Sequence, residues 1–351
     1  MGRGRPYSCT QPIAPVTAFI EHDLCHCRGM TPDAGTYDLE DLRARVMQKN
    51  GGSVDDSIPE LAAADADQCA LALALPDGTV RGTRQAESPF SVQSAVKPFL
   101  FALALLDTDG EALDLIGIEP TGEAFDAIKL ESGTGRPPNP MVNAGALLTA
   151  SLIDGSDVDE RHERILRGLS AFAGRRLEVD ESVAHNEHLL GDRNHALAHL
   201  MRAEGTLHVG ADDAVAVYAR ACAVLVDVKA LAVMGATLAC GGVNPVTEER
   251  VVPPAVARDV VSVMATCGVY DGSGRWMRGI GIPAKSSVSG AIVLSAPGRL
   301  GAAVMSPPLD EQGTSVRGRV ASDLLSVELD LHAFGSVTGG DRGGRASRSE
   351  Q

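Results

Sequence analysis

The sequence has few aromatic residues, few lysines and no long apolar run, and each shortage narrows what the protein can be. Aromatic side chains make up only 3% of 351 residues, so a core must be built mainly from alanine, valine and leucine. No stretch reaches the roughly 20 strongly apolar residues of a transmembrane helix, and residues 12–20 are too short and proline-broken for a signal sequence. The net charge of −15 argues against a nucleic-acid-binding surface.

The cysteines give no sign of a disulfide framework. There are seven of them, an odd number, scattered along the chain. This pattern predicts reduced thiols and a cytoplasmic protein. Cys25-His26-Cys27 invites a metal interpretation, but no second ligand pair follows at zinc-site spacing.

The apolar pattern predicts one central domain, at 36–334, between two irregular ends. Residues 1–35 lack periodicity and contain Met30, an internal candidate start, so we expect a flexible N-terminal extension. Residues 335–351 are rich in Gly, Ser and Arg, which predicts a disordered tail. Strands are predicted at 69–75, 79–83, 286–295 and 300–305. Helices are predicted at 37–49, 94–106, 142–153, 160–173, 194–204, 211–225, 228–240, 254–266 and 317–329.

This order of elements predicts an α/β (α+β) fold. The N-terminal and C-terminal strands can complete one antiparallel sheet, with a helical subdomain at about 117–267 inserted between them. That is the architecture of serine β-lactamases and transpeptidases. It would place the helix after Ser94, the irregular segment 117–145 and the strand at Lys285 around one crevice.

The Ser94-x-x-Lys97 tetrapeptide is the first candidate for chemistry. The chain has five lysines, so one placed three residues after a serine and before an apolar helix is notable. Positions i and i+3 share a helix face, and the amine can then act as the base that a serine nucleophile requires. A capping serine and a solvated lysine would give the same tetrapeptide. A lysine base working near neutrality needs its pKa lowered by about 3 units, which burial and a second cation such as Lys285 would favour.

Two rival constellations receive less support. His185, His188, His195 and His199 cluster in the sequence, but there is no His-Glu-x-x-His and the helix supplies no suitable carboxylate, so we expect no zinc site. Gly272-Ser273-Gly274 and Gly279-Ile280-Gly281 look like phosphate loops, but neither follows a strand and opens a helix. Both are predicted to be turns.

From about Asn50 to Phe334 the chain resembles the glutaminase family of the bacterial and mitochondrial type, with its serine β-lactamase-like fold. The matching motifs appear in the family's order. They are Asn50-Gly51-Gly52, Ile58-Pro59-Glu60-Leu61, Gln93-Ser94-x-x-Lys97, Glu119-Pro120-Thr121-Gly122, Asn139-Pro140-Met141-Val142-Asn143-Ala144-Gly145-Ala146, Glu187 with Arg193-Asn194, Tyr218, Gly241-Gly242-Val243-Asn244-Pro245, Cys267-Gly268-Val269-Tyr270-Asp271 and Pro283-Ala284-Lys285-Ser286.

The resemblance implies hydrolysis of L-glutamine to L-glutamate and ammonia, without a metal or organic cofactor, by a homodimer or homotetramer that needs neither nucleic acid nor membrane. It implies Ser94 as the acylated nucleophile, Lys97 as its base and Tyr270 as a proton shuttle beside the leaving ammonia. The residues implied to contact substrate are Gln93, Ser94, Asn143, Glu187, Asn194, Tyr218, Tyr270 and, through its backbone, Val288.

The sequence departs from the family pattern beside the implied chemistry. Ser57 stands where a tyrosine is usual, Val96 replaces a serine and Pro98 follows the lysine. The glycine-rich segment after Lys285 carries side chains at 287, 289 and 291. Two alternatives therefore stay open: a serine amidase of the same fold acting on another amide or lactam, and an amino-acid-binding homologue with weak catalysis.

Overall fold

The described part of the chain is residues 34–122 and 127–335 of a computed structural model. The predicted extension and tail lie outside these ranges, apart from residues 34, 35 and 335. The helices are α1 (Leu39–Val46), α2 (Pro59–Ala62), α3 (Lys97–Asp107), α4 (Ala112–Leu115), α5 (Asn143–Leu152), α6 (Val158–Ala173), α7 (Glu181–Leu189), α8 (Asp192–Ala203), α9 (Ala211–Cys222), α10 (Val228–Ala239), α11 (Pro254–Cys267), α12 (Ser273–Gly279) and α13 (Val316–Glu328). The strands are β1 (Ala70–Ala74), β2 (Val80–Gly82), β3 (Phe90–Ser91), β4 (Glu178–Val179), β5 (Val224–Val226), β6 (Ala284–Ser286), β7 (Ala291–Ala296) and β8 (Leu300–Met305).

The main sheet joins the two ends of the described chain. Its order is β2-β1-β8-β7-β6, and every neighbouring pair is antiparallel. Strand β1 therefore lies between β2 and β8, with Leu71 opposite Val304. This confirms the predicted sheet built from N-terminal and C-terminal strands. No helix within the described ranges is long and apolar enough to cross a membrane.

The two faces of this sheet are buried against different kinds of side chain. Leu71 and Leu73 belong to the apolar cluster that contains residues of α1 and α13, whereas the alanines of β1 belong to the cluster that contains α10. Helix α10 lies so close that a Cβ on Gly301 would be 2.1 Å from the Ala236 nitrogen. A core of alanine and glycine at this face explains how the chain folds with so few aromatic residues.

A second, small sheet holds the segment that precedes Ser94. Its order is β3-β5-β4, and the Val92 nitrogen donates to the Val224 carbonyl over 2.9 Å. Strand β5 was predicted as the end of a helix at 211–225, but that helix ends at Cys222. Val224–Val226 consists of two β-branched valines and a leucine, and β-branched residues favour a strand.

Two other predictions of local structure were wrong, and one long helix was missed. The strand predicted at 286–295 is two strands joined by a turn, because Gly290 has a φ of 89° and its absent Cβ would be 2.4 Å from the Ser306 carbonyl. The turn predicted at 272–274 opens helix α12. Helix α7 was not predicted at all, since it buries only Val183 and Ala184 and so lacks an apolar stripe.

Candidate active site

Ser94 lies on a strained turn between a strand and a helix. It belongs to a 3-10 turn, Gln93–Val96, which follows β3 and runs directly into α3. Gln93 has a φ of 50°, a left-handed conformation that costs a non-glycine residue about 1–3 kcal/mol. Positions i and i+3 eclipse one another in a 3-10 turn. The turn therefore sends the side chains of Ser94 and Lys97 to the same side.

Two lysines are fully buried behind this turn. Lys97 and Lys285 are both 0% exposed. The Lys97 amine donates to Asn143 Oδ1 over 2.7 Å, and the Lys285 amine donates to the Ser286 carbonyl over 2.7 Å. Burial, and to a smaller degree the charge of Lys97, lowers the pKa of Lys285 well below its usual range. Burial therefore disfavours the charged form of Lys285.

Two buried tyrosines lie beside the Ser94 side chain. Tyr218 comes from α9, and Tyr270 from the 3-10 turn Tyr270–Gly272, where its φ is 48°. The Tyr270 hydroxyl donates to the Ser286 carbonyl over 3.3 Å, and its ring centre lies 4.2 Å from the Lys285 amine. Burial raises the pKa of both tyrosines above the usual value. Each phenol therefore keeps its proton near neutrality and can relay it.

A chain of amides fixes the Lys97 amine in place. Asn143 opens α5 and donates through Nδ2 to Asn194 Oδ1 of α8 over 3.0 Å. The turn before α5 is held by Asn139, whose Oδ1 accepts from the Met141 nitrogen over 3.0 Å. A Cβ on Gly145 would be 1.9 Å from the Asn139 carbonyl oxygen. Only glycine fits there, which explains why the Asn139–Ala146 motif has glycine at position 145.

Glu187 supplies a carboxylate to the same site. It lies near the end of α7, which begins with Asp180 capping the nitrogens of Ser182 and Val183. Burial raises the pKa of Glu187 to about 7, against the opposing effect of a hydrogen bond with Gln93. A half-buried carboxylate in a cavity wall can receive a positively charged group.

Most of the predicted site residues line one cavity of about 480 Å³. These are Gln93, Ser94, Asn143, Glu187, Asn194, Tyr218 and Val288. Tyr270 lines the adjoining cavity, and Val288 and Asp55 line both. Lys97 and Lys285 lie behind these walls and contact the site through Asn143 and Tyr270.

The cavity also has walls that the sequence did not indicate. Asp55, Cys222 and the residues from Leu190 to Asp192 contribute to it. Asp55 carried a weak signal, because it shortly precedes the Ile58-Pro59-Glu60-Leu61 motif. Cys222 lies one helical turn after Tyr218 on α9, so the predicted helix already placed the two side chains on one face, although nothing in the sequence marked that face as a cavity wall.

Comparison with known proteins agrees with this geometry. The family model for glutaminase matches residues 52–334. A glutaminase of Clavibacter michiganensis subsp. michiganensis is 69% identical over 321 residues, which are 92% of this chain and 97% of that protein. The chain belongs to the glutaminase family. The glutaminase family acts on the amide bond of glutamine, and its β-lactamase-like fold confirms the predicted fold class.

Solved glutaminase structures superpose on the chain over most of its length. The structure of Mglu in its glutamate form is 45% identical, with a TM-score of 0.80, and the match covers 86% of this chain and 69% of that one. A probable glutaminase, ybaS, is 37% identical with a TM-score of 0.81, covering 86% of this chain and 100% of that one.

The departures from the glutaminase pattern have local structural consequences. The Ser57 hydroxyl hydrogen-bonds to the Asp55 carboxylate, and the Ser57 nitrogen donates to the same oxygen over 3.0 Å. Pro98 occupies the first turn of α3, where no backbone N–H is needed for the helix. The Ser287 hydroxyl donates to the Val92 carbonyl over 3.1 Å and contacts the Ser289 hydroxyl. These serines tie the β6–β7 turn to the segment that carries Ser94.

Proposed function

We propose that this glutaminase hydrolyses L-glutamine to L-glutamate and ammonia through an acyl-enzyme on Ser94, with Lys97 as its base. The observation that carries the proposal is the position of Ser94. Its hydroxyl lies at the wall of the cavity, between two protonated phenols, on a turn that sends Lys97 to the same side.

The first half of the reaction transfers the glutamyl group to the enzyme. Ser94 Oγ forms a bond with the carboxamide carbon while its proton passes towards the Lys97 amine. The C–N bond then breaks, and the departing nitrogen takes up a proton relayed by Tyr270 and leaves as ammonia. The backbone N–H of Ser94 and one from the turn at Val288 are the proposed donors to the carbonyl oxygen during attack.

The second half uses water as the nucleophile. Water attacks the ester carbon, loses a proton to the same base and releases glutamate, which returns the Ser94 hydroxyl. Lys285 supports both halves in this proposal. The contact of the Lys285 amine with the Tyr270 ring holds that phenol near Ser94.

The remaining cavity residues are proposed to hold the amino-acid end of the substrate. Glu187 would pair with the α-ammonium group, and the amides of Gln93, Asn143 and Asn194 would donate to the α-carboxylate. Val288 would contribute a backbone group, and the Tyr218 hydroxyl a further donor. The glutamate form of Mglu is consistent with an amino-acid ligand of this kind in a related protein.

We also propose a cytoplasmic homo-oligomer, a dimer or tetramer. The four cysteines within the described residues are free, as expected in a reducing compartment. Several large apolar side chains are exposed between Leu106 and Ile128, and a second copy would cover such residues. Light scattering of the purified protein measures the oligomeric state.

The decisive experiment is ammonia release from L-glutamine by the wild type and by Ser94→Ala. We expect the variant to lose activity by at least about 1,000-fold, as removal of a serine nucleophile does elsewhere. Mass spectrometry of the wild type during turnover should find the peptide that contains Ser94 heavier by the mass of one glutamyl group. Equal activity in the variant would overturn the nucleophile assignment. Turnover of other amides or lactams in preference to glutamine would point to an amidase of the same fold.

A further inference from the structure

Three metal-ligating side chains from three helices meet beside the candidate active site. His188 from α7, His195 from α8 and Asp212 from α9 place their ligand atoms within 4.8 Å of one another. His188 Nε2 lies 3.0 Å from Asp212 Oδ1, and His195 Nδ1 lies 3.9 Å from the same oxygen. In a tetrahedral zinc site, ligand atoms are about 3.3 Å apart. One observed distance is shorter than that value and the other is longer. Small rotations of the side chains would therefore bring the ligand atoms to tetrahedral spacing.

The hydrogen bonding of His195 favours a metal ligand. Its Nε2 lies 3.0 Å from the His188 carbonyl oxygen, and a carbonyl can only accept, so Nε2 carries the proton. In the neutral ring Nδ1 is then a bare acceptor that faces a carboxylate oxygen. A cation bound between these two acceptors would stabilise the arrangement. A ring N–H donated to a backbone carbonyl is also the usual support behind a ligating histidine.

We propose that His188, His195 and Asp212 bind a divalent transition-metal cation of the Zn²⁺ type that joins α7, α8 and α9. Two imidazoles and one carboxylate suit this class of ion and leave a fourth position for water. All three side chains reach solvent, with exposed fractions of 34%, 27% and 75%, so the ion has an entry path.

The site has a direct connection to the cavity wall. His188 follows Glu187 in the chain, and His195 follows Asn194. A bound ion would therefore fix the end of α7 and the start of α8, which carry these two cavity residues. The sequence argued against zinc because the histidine helix lacks a carboxylate. The structure supplies one from α9, which only the fold brings near.

The test is Zn²⁺ titration of the untagged full-length chain by calorimetry. All proteins carry Cys25→Ser and Cys27→Ser, because Cys25-His26-Cys27 can bind zinc by itself. We expect one ion per chain in this background. His188→Ala and His195→Ala should each weaken binding by more than about 100-fold, because loss of a supporting partner alone costs 10–100-fold. His185→Ala and His199→Ala, which change neighbouring histidines outside the cluster, should leave it intact.

Two further readouts separate a built site from surface histidines. Co²⁺ at the site should give the intense visible absorption of four-coordinate cobalt, and Asp212→Asn should diminish it. Zn²⁺ should also slow amide hydrogen exchange in the peptide that contains residues 187–195. The proposal would be overturned if the chain did not bind Zn²⁺ stoichiometrically, or if His185→Ala and His188→Ala lost Zn²⁺ affinity to the same extent. In the first case the hydrogen bond between His188 Nε2 and Asp212 Oδ1 would account for the cluster.

Discussion

Exchange of Asn143 for aspartate would test whether Lys97 acts as a neutral amine. Asn143 Oδ1 accepts a hydrogen bond from the Lys97 amine over 2.7 Å, and the amine is fully buried. Aspartate has the same shape, so Asn143→Asp adds one negative charge at this contact with little change in packing. The added charge favours the ammonium form of the lysine, which cannot accept a proton from Ser94.

The size of the effect follows from the distance. At 2.7 Å a full charge is worth about 6 kcal/mol with an effective dielectric of about 20. Desolvation of the new carboxylate offsets part of this, and neighbouring charges in proteins shift such equilibria by about 1.4–4 kcal/mol. The neutral amine becomes about 10- to 1,000-fold rarer near neutral pH. We expect kcat/KM to fall by the same factor.

The assay is the pH profile of kcat/KM for ammonia release. Activity of Asn143→Asp should recover as pH rises, because deprotonation of Lys97 becomes easier. Asn194→Asp is the matched control, since its charge lies one side chain further from the amine. We expect that control to change mainly KM. Equal losses in both variants without recovery at high pH would refute the assignment of Lys97 as the base.

Two further predictions concern Glu187 and His162. Glu187→Gln should lower kcat/KM by about 30-fold or more, mainly through KM, because unpairing a buried charge costs about 2–5 kcal/mol; a loss confined to kcat would contradict this. Burial, with a smaller effect of Arg220, lowers the pKa of His162 to about 4, against about 6.5 when unfolded. At pH values between these two pKa values, His162 is protonated in the unfolded state but not in the folded state. The free energy of unfolding therefore falls as the pH drops from 6.5, by up to about 3 kcal/mol below pH 4. Urea melts of His162→Gln should lack this decrease, and an unchanged pH dependence would count against it.

The sequence located the regular parts of the fold well. Helices α5, α6, α8, α10, α11 and α13 begin and end within two residues of the predicted bounds, because each is marked by an apolar stripe or, in α5 and α10, by a largely apolar run. Helix α7 escaped prediction since its stability comes from contacts outside it. Its Ser182 and Asn186 hydrogen-bond to Glu60 of α2, a pairing that no local pattern reveals.

The site was predictable to the level of its motif residues. Ser94 and Asn143 carry strong local signatures, and the structure brings them to one cavity. Contributions that depend on folding were missed, including Asp55 in the wall and Asp212 beside His188 and His195. Backbone conformation was also beyond local patterns. Gln93 and Tyr270 have positive φ although neither is a glycine, and tertiary contacts impose these conformations.

The central position of β1 has a consequence for how the chain folds during synthesis. Leu71 and Leu73 pair with Val304 and Ala302, so one edge of β1 has no partner until β8 has left the ribosome. Such distant pairing raises contact order and slows folding. Until then the apolar face of β1 lacks part of its sheet, and chains truncated before residue 300 should aggregate or bind chaperones. Completion of the main sheet is therefore expected only after nearly the whole described chain has been translated.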